Sequence, residues 1–185
     1  LSPAAGASAP PEAAEARSGP TGTLTIGGDT TFTFRVSRCD LSGKSPDNLL
    51  LRGNGTTADG RSFHVEVERM APPAGVGSSY ERVTLGLPPA EGNRRGSWEA
   101  THTLSGQGRW TSGPQSEPAD GPLLQVDGAE LVAEGTYHYG LSHLPDKQPL
   151  SADERRANRA IEKEARETTP GTLRATCVAP AVPAP

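Results

Sequence analysis

The residues best able to do chemistry in this chain are four histidines, His64, His102, His138 and His143, the single methionine Met70, and two cysteines, Cys39 and Cys177. Imidazole and thioether groups are metal ligands, so the histidines with Met70 form one candidate metal set. Their spacing contains neither H-x-H nor H-E-x-x-H, the patterns that bring two imidazoles to one ion. His64 and His138 lie on the outward phase of strand-like runs and meet only if those strands are neighbours. The pattern reads as surface histidines, with no metal site and no cofactor.

Nucleophilic chemistry finds no better footing. No serine sits in G-x-S-x-G, and GVGSSYE at 75–81 only approaches that form. Glu66 and Glu68 project from one strand face at i,i+2, where carboxylates are ordinarily solvated. The Gly53-Asn54-Gly55 run is followed by no Lys-Ser/Thr and opens no helix, so it is not a phosphate loop. Asn54-Gly55-Thr56 has the form of a glycosylation acceptor and reads as a turn. No catalytic residue is assigned, and the chain is expected not to be an enzyme.

Contact chemistry is better represented. Trp98 fits a core phase, whereas Trp110 stands in a Gly/Ser/Pro-rich stretch, 105–122, where an aromatic more often marks a contact than a core. Arg155, Arg156 and Arg159 offer a second surface on a charged helix. These four residues are the candidate contact surface. The cysteines are open to three readings: a disulfide, two buried thiols, or metal ligands. The absence of C-x-x-C counts against zinc. The place of each cysteine at the end of a strand-like run favours the disulfide.

The elements that must position these groups are mostly strands. TGTLTIGGDTTFTFRVSRC, 21–39, alternates Leu24 and Ile26, then Phe32, Phe34 and Val36, about a Gly-Gly-Asp turn. Cys39 falls on the polar phase of its strand, and a bulge near Arg38 would turn it inward. Leu49–Thr57 and the Phe63, Val65, Val67 strand flank an Asp59-Gly60 hairpin signal, with Gly53 and Gly55 marking a bulge or close backbone packing. Val83, Leu85 and Leu87 define a further strand. So do Trp98, Ala100, His102 and Leu104; Leu123–Val126; and Leu131, Ala133, Gly135, Tyr137 and Tyr139. A last strand, Thr172–Cys177, closes the set. The segment SADERRANRAIEKEARETT, 151–169, predicts a helix over 152–167, with Ser151 and Glu154 as a capping box and Thr169-Pro170-Gly171 as its stop. Hairpin spacing and frequent turns predict an all-β fold: an antiparallel sandwich or partly open barrel of about eight strands, with one helix inserted near the C-terminus.

Composition sets the boundaries. Hydrophobic residues are 33% and aromatics 4%, with 22 Gly and 18 Pro among 185 residues, a sparse core for which a covalent staple matters. A net charge of −4 gives no basic stripe for nucleic acid. No apolar run is long enough for a transmembrane helix. Residues 1–20 hold seven Ala and four Pro and read as a disordered tether from which a signal peptide has been removed. One domain then spans 21–177, and 178–185 is a second disordered tail.

A loose Ala/Pro/Ser tail, Gly22-Thr23-Leu24-Thr25-Ile26 leading to a strand that ends at Cys39, and a final GTLRATC at 171–177 resemble the secreted lipoproteins of actinobacteria, of the lipoprotein-antigen type. The segments GNGTTADGRSFHVEVER and VDGAELVAEGTY share that character. The resemblance implies a disulfide between Cys39 and Cys177. It also implies a place in the cell envelope, secreted or tethered to the outer face of the membrane, and binding of a lipid, a glycan or another envelope protein. It supplies no catalytic residues. The lipidated cysteine of that family is absent from this sequence, and the charged helix departs from its pattern. The expected function is a monomeric, non-catalytic binding module. The alternative is a lipid or glycolipid carrier with an apolar cavity between sheets, and a hydrolase is the weakest reading.

Overall fold

The computed structural model describes residues 19–41, 48–71, 78–87, 94–143, 151–153, 155–156 and 168–177. They form eleven strands: β1 (Thr21–Ile26), β2 (Thr30–Asp40), β3 (Leu49–Thr56), β4 (Ser62–Met70), β5 (Ser79–Gly86), β6 (Arg94–Leu104), β7 (Trp110–Ser112), β8 (Glu117–Pro118), β9 (Leu124–Asp127), β10 (Glu130–His143) and β11 (Thr168–Thr176). The sheet runs β8-β7-β6-β5-β4-β3-β2-β1-β11-β10-β9, and β6 also pairs with β10. That last pairing closes β6-β5-β4-β3-β2-β1-β11-β10 into an eight-stranded antiparallel barrel, with β7, β8 and β9 outside the ring. The expected sandwich or partly open barrel is therefore corrected to a closed barrel. Closure removes the sheet edges that an open barrel would leave to be covered.

On β1, β2, β4, β5, β6 and β10 the inward phase is the one read from alternation. Leu24 and Ile26, Phe34, Leu49 and Leu51, Phe63 with Val65 and Val67, Val83 and Leu85, Ala100, Leu131 and Ala133 with Tyr137, and Leu173 with Ala175 are all buried in one core. Eight strands enclose a space that side chains can fill. Few of these side chains are large, and the large ones lie over glycines. The Phe34 ring occupies the space a Cβ would take on both Gly22 and Gly53, and the Phe63 ring does the same at Gly55. The glycines of β3 thus serve close packing. The two hairpin turns form as read, with positive φ at Gly27, Gly28 and Gly60.

Cys39 is brought inward by a bulge. Val36 pairs with Gly53, and Arg38, not Ser37, pairs with the next residue, Arg52. One residue is thereby left unpaired and the phase of β2 reverses. Cys39 then packs against the core and is disulfide-bonded to Cys177, with a Cα–Cα distance of 5.8 Å across 138 positions. The bond joins the end of the second strand, not the first, to the end of the last. β1 lies between β2 and β11 but begins only at Thr21, opposite Arg35. Beyond that point β2 and β11 have no strand between them. They come together from the roughly 9.5 Å that a two-strand spacing would impose. The disulfide therefore closes the ring where β1 has run out.

Of the helix expected over 152–167, Ala152, Asp153, Arg155 and Arg156 are helical, and the Arg155 N–H donates to the Ser151 carbonyl at 3.0 Å. The rest, including Arg159, lies outside the described residues. The expected stop at Thr169-Pro170-Gly171 is instead part of β11, where Thr169 pairs with Tyr137 and Pro170 with Thr136. Pro170 is tolerated because it lies beyond the β1–β11 register, which ends at Ile26 opposite Gly171. There it needs to give only its carbonyl, which accepts from Gly27 N–H at 2.9 Å.

Candidate functional site

The barrel has one irregular seam. β6 and β10 pair from Arg94 opposite His143 to Glu99 opposite His138, and there the ladder stops. The remainder of β6 turns to β7, with His102 opposite Ser112 and Leu104 opposite Trp110. The start of β10 turns to β9, with Leu131 opposite Val126 and Ala133 opposite Leu124. The two strands thus diverge around Ala100, His102 and Gly135, and all three extra strands attach beside this divergence.

The gap is filled from outside the ring. Leu123, the residue before β9, is buried, and a Cβ on Gly135 would lie 2.6 Å from its Cδ1. The segment carrying it is held by its backbone. His102 Nδ1 lies 2.8 Å from the Gly121 carbonyl; because a carbonyl only accepts, Nδ1 carries the proton and donates. Two residues of the inward phase, Arg69 on β4 and Glu81 on β5, sit opposite one another and pair at 2.7 Å. Glu81 Oε2 accepts from Leu124 N–H at 2.8 Å, and Arg69 Nη2 donates to the Leu124 carbonyl at 3.0 Å. Glu81, 2% exposed, is the one buried charged residue among those described. Burying it is tolerable because its partners are a guanidinium and a backbone donor.

Beside this gap stands Tyr137, buried on the inward face of β10, with a hydroxyl that meets no hydrogen-bond partner among the described residues. Such a group costs about 1–3 kcal/mol relative to a satisfied one. Burial pushes its pKa well above the usual tyrosine range, so the hydroxyl remains protonated and a donor at neutral pH.

The residues singled out from sequence fall as follows. Trp110 is in β7, half-buried, its ring 6.5 Å from that of His102. The stretch 105–122 is accordingly no plain loop: it holds β7 and β8 as a small hairpin against β6. Arg155 and Arg156 are exposed, and Arg156 lies 3.7 Å from Asp153. His64 is exposed on β4 and His138 lies against Gly113, on strands that are not neighbours in the sheet. His143 ends β10. Glu66 and Glu68 lie on the outer face, paired with Arg52 at 2.6 Å and with Arg82. Burial of the Tyr80 ring, next to Glu68, raises the pKa of its hydroxyl.

Sequence reasoning missed Arg69, Glu81, Leu123, Gly135 and Tyr137 as a group. A signal was present in two of them. Arg69 continues the phase of Phe63, Val65 and Val67, and Glu81 precedes Val83 and Leu85 on theirs. Two opposite charges on inward phases at the ends of adjacent strands mark a buried pair. Comparison of the chain with protein-family models, with curated proteins and with solved structures finds no match.

Proposed function

We propose that the protein is a monomeric, non-catalytic binding module, secreted or tethered to the outer face of the cell membrane, whose contact surface is the seam bearing β7, β8 and Trp110. The observation that supports this reading is the placement of every strand beyond the eight of the ring at one seam, with Trp110 among them. A closed barrel is a rigid scaffold, and binding groups are commonly carried by what is attached to it. The disulfide fits an oxidising compartment. The resemblance to actinobacterial lipoproteins points to a glycan, a lipid or another envelope protein as partner.

The test uses Trp110 as reporter. In a Trp98→Phe variant it is the sole tryptophan, and its emission is followed during titration with phospholipid vesicles and with solubilised cell-wall polysaccharide. A saturable shift, together with weaker co-sedimentation of Trp110→Ala than of the parent with the same ligand, supports the surface. If neither ligand class moves the emission, Trp110 is not the contact.

The carrier reading is favoured by one separate observation, the buried and unpartnered hydroxyl of Tyr137. A polar group of that kind inside a barrel suits a bound molecule that supplies the missing acceptor.

A further inference from the structure

Gly135 and Gly171 face one another across the β10–β11 ladder. Both are on the inward face, so the inner wall lacks two adjacent side chains. A Cβ on Gly171 would lie 2.7 Å from Cδ2 and Cε2 of Tyr137, and one on Gly135 2.6 Å from Leu123. The two halves of this notch are filled in different ways. Tyr137 is a residue of the barrel wall. Leu123 is delivered from the segment that crosses the seam.

The geometry points to this notch as an interior binding site for a neutral, medium-chain acyl ester or ketone, entered when the segment carrying Leu123 and Leu124 lifts from the seam. The proposal rests on the carrier reading and names its site and ligand class. Three features define the ligand. The surrounding wall is apolar, with Ala133, Leu131 and Leu173 buried and Ala100 Cβ 3.7 Å from the Gly135 Cβ position. The Tyr137 hydroxyl is a donor without an acceptor among the described residues. His102 Nε2 stands 3.9 Å from the same Cβ position. With Nδ1 donating to Gly121, the ring's other nitrogen is the one nearest the notch. A carboxylate would bring a charge into the apolar wall. Withdrawal of Leu123 and Leu124 frees room for roughly eight carbons, the content of two leucine side chains.

The entry is built to move as a unit. Leu123 has its backbone fixed on both sides, through Gly121 on His102 and through Leu124 on Arg69 and Glu81. The bonds that hold the segment come from side chains of the ring, and they can be exchanged for water when it lifts.

Calorimetric titration of the full chain with methyl octanoate and with octanoate tests the site. The ester binds, and the acid binds at least about tenfold more weakly. Tyr137→Phe, which removes one oxygen and no packing volume, weakens the ester about tenfold. Leu123→Ala strengthens it by vacating the notch, and Leu123→Trp abolishes it. Circular dichroism of each variant shows that the barrel is retained. Equal binding of ester and acid, or a Tyr137→Phe variant indistinguishable from the parent, overturns the proposal. Solvent extraction of protein from its native source, with mass spectrometry, tests the carrier reading separately. Extracted lipid with unaltered variants leaves a carrier and refutes this site. An empty extract together with no titration heat in either the parent or Leu123→Ala refutes both.

Discussion

Arg69 and Glu81 face each other across β4 and β5, and together they satisfy both backbone groups of Leu124. They stand in for the strand that would otherwise lie beside β9. An edge strand with open N–H and C=O groups invites pairing with another chain. Here the outward groups of Leu124 are taken from inside the ring, and the same two bonds hold the seam segment against it.

The ion pair is expected to matter most when half of it is removed. Glu81→Ala leaves a half-buried guanidinium and an unsatisfied Leu124 N–H, a loss of about 3–5 kcal/mol. The double variant Arg69→Met, Glu81→Leu restores apolar packing and is expected to be less destabilised than Glu81→Ala alone. Urea unfolding of the three proteins measures both effects. A double variant worse than Glu81→Ala would show that the Leu124 backbone bonds, not the charges, dominate.

The disulfide closes the ring past the start of β1, so its loss is expected to be felt at one end of the barrel. Cys39→Ser with Cys177→Ser is expected to cost about 2–4 kcal/mol in stability. In hydrogen exchange, the amides of 38–40 and of Cys177, which donates to Ala129, are expected to lose protection first. Those in β4 and β5 should be affected only through global unfolding. A thiol assay of the denatured, unreduced protein should find no free cysteine.

Glycine–aromatic packing gives a third expectation. Gly53→Ala places a methyl group in the volume of the Phe34 ring, which also covers Gly22. The expected destabilisation is about 1–3 kcal/mol. Combining Gly53→Ala with Phe34→Leu recovers part of it, because the smaller side chain concedes the volume. Thermal unfolding of the two single variants and the double variant gives the coupling directly.

Much of the ring could be read from the chain because alternation is a local property. Leu24 and Ile26, or Phe63, Val65 and Val67, declare their inward phase without reference to any partner. The conflict at Cys39 is also visible in the chain: its polar phase leaves room for a bulge or bend near Arg38, and a bulge is found between Val36 and Arg38. The partner of a strand is not local, and nothing in the run from Glu130 to Tyr139 states that its end will pair with β6 and its beginning with β9. β7 and β8 have three and two residues, too few for a period to register. Pro170 reads as a stop because proline cannot donate, yet at the limit of the β1–β11 register only its carbonyl is needed. The candidate site lay deeper still. Leu123 and Gly135 gain meaning only once the seam places one over the other.

Tyr137 supplies a pH dependence whose sign follows from its burial. Its folded-state pKa is raised above the ordinary tyrosine value of about 10. Below that value both folded and unfolded chains hold the proton, and the group has no effect on the pH dependence of stability. Above it the unfolded chain releases the proton while the folded chain keeps it. Folding is then linked to proton uptake, and stability falls as pH rises, by at most about 1.4 kcal/mol per pH unit from this group. Tyr137→Phe removes the ionisable oxygen, so its stability above pH ~10 should decline less steeply than that of the parent. At neutral pH it should be equal or higher, because the unpartnered hydroxyl is gone. Urea midpoints of both proteins across the alkaline range provide the comparison. Parallel curves would mean that Tyr137 ionises in the folded barrel, and hence that its hydroxyl has access to solvent.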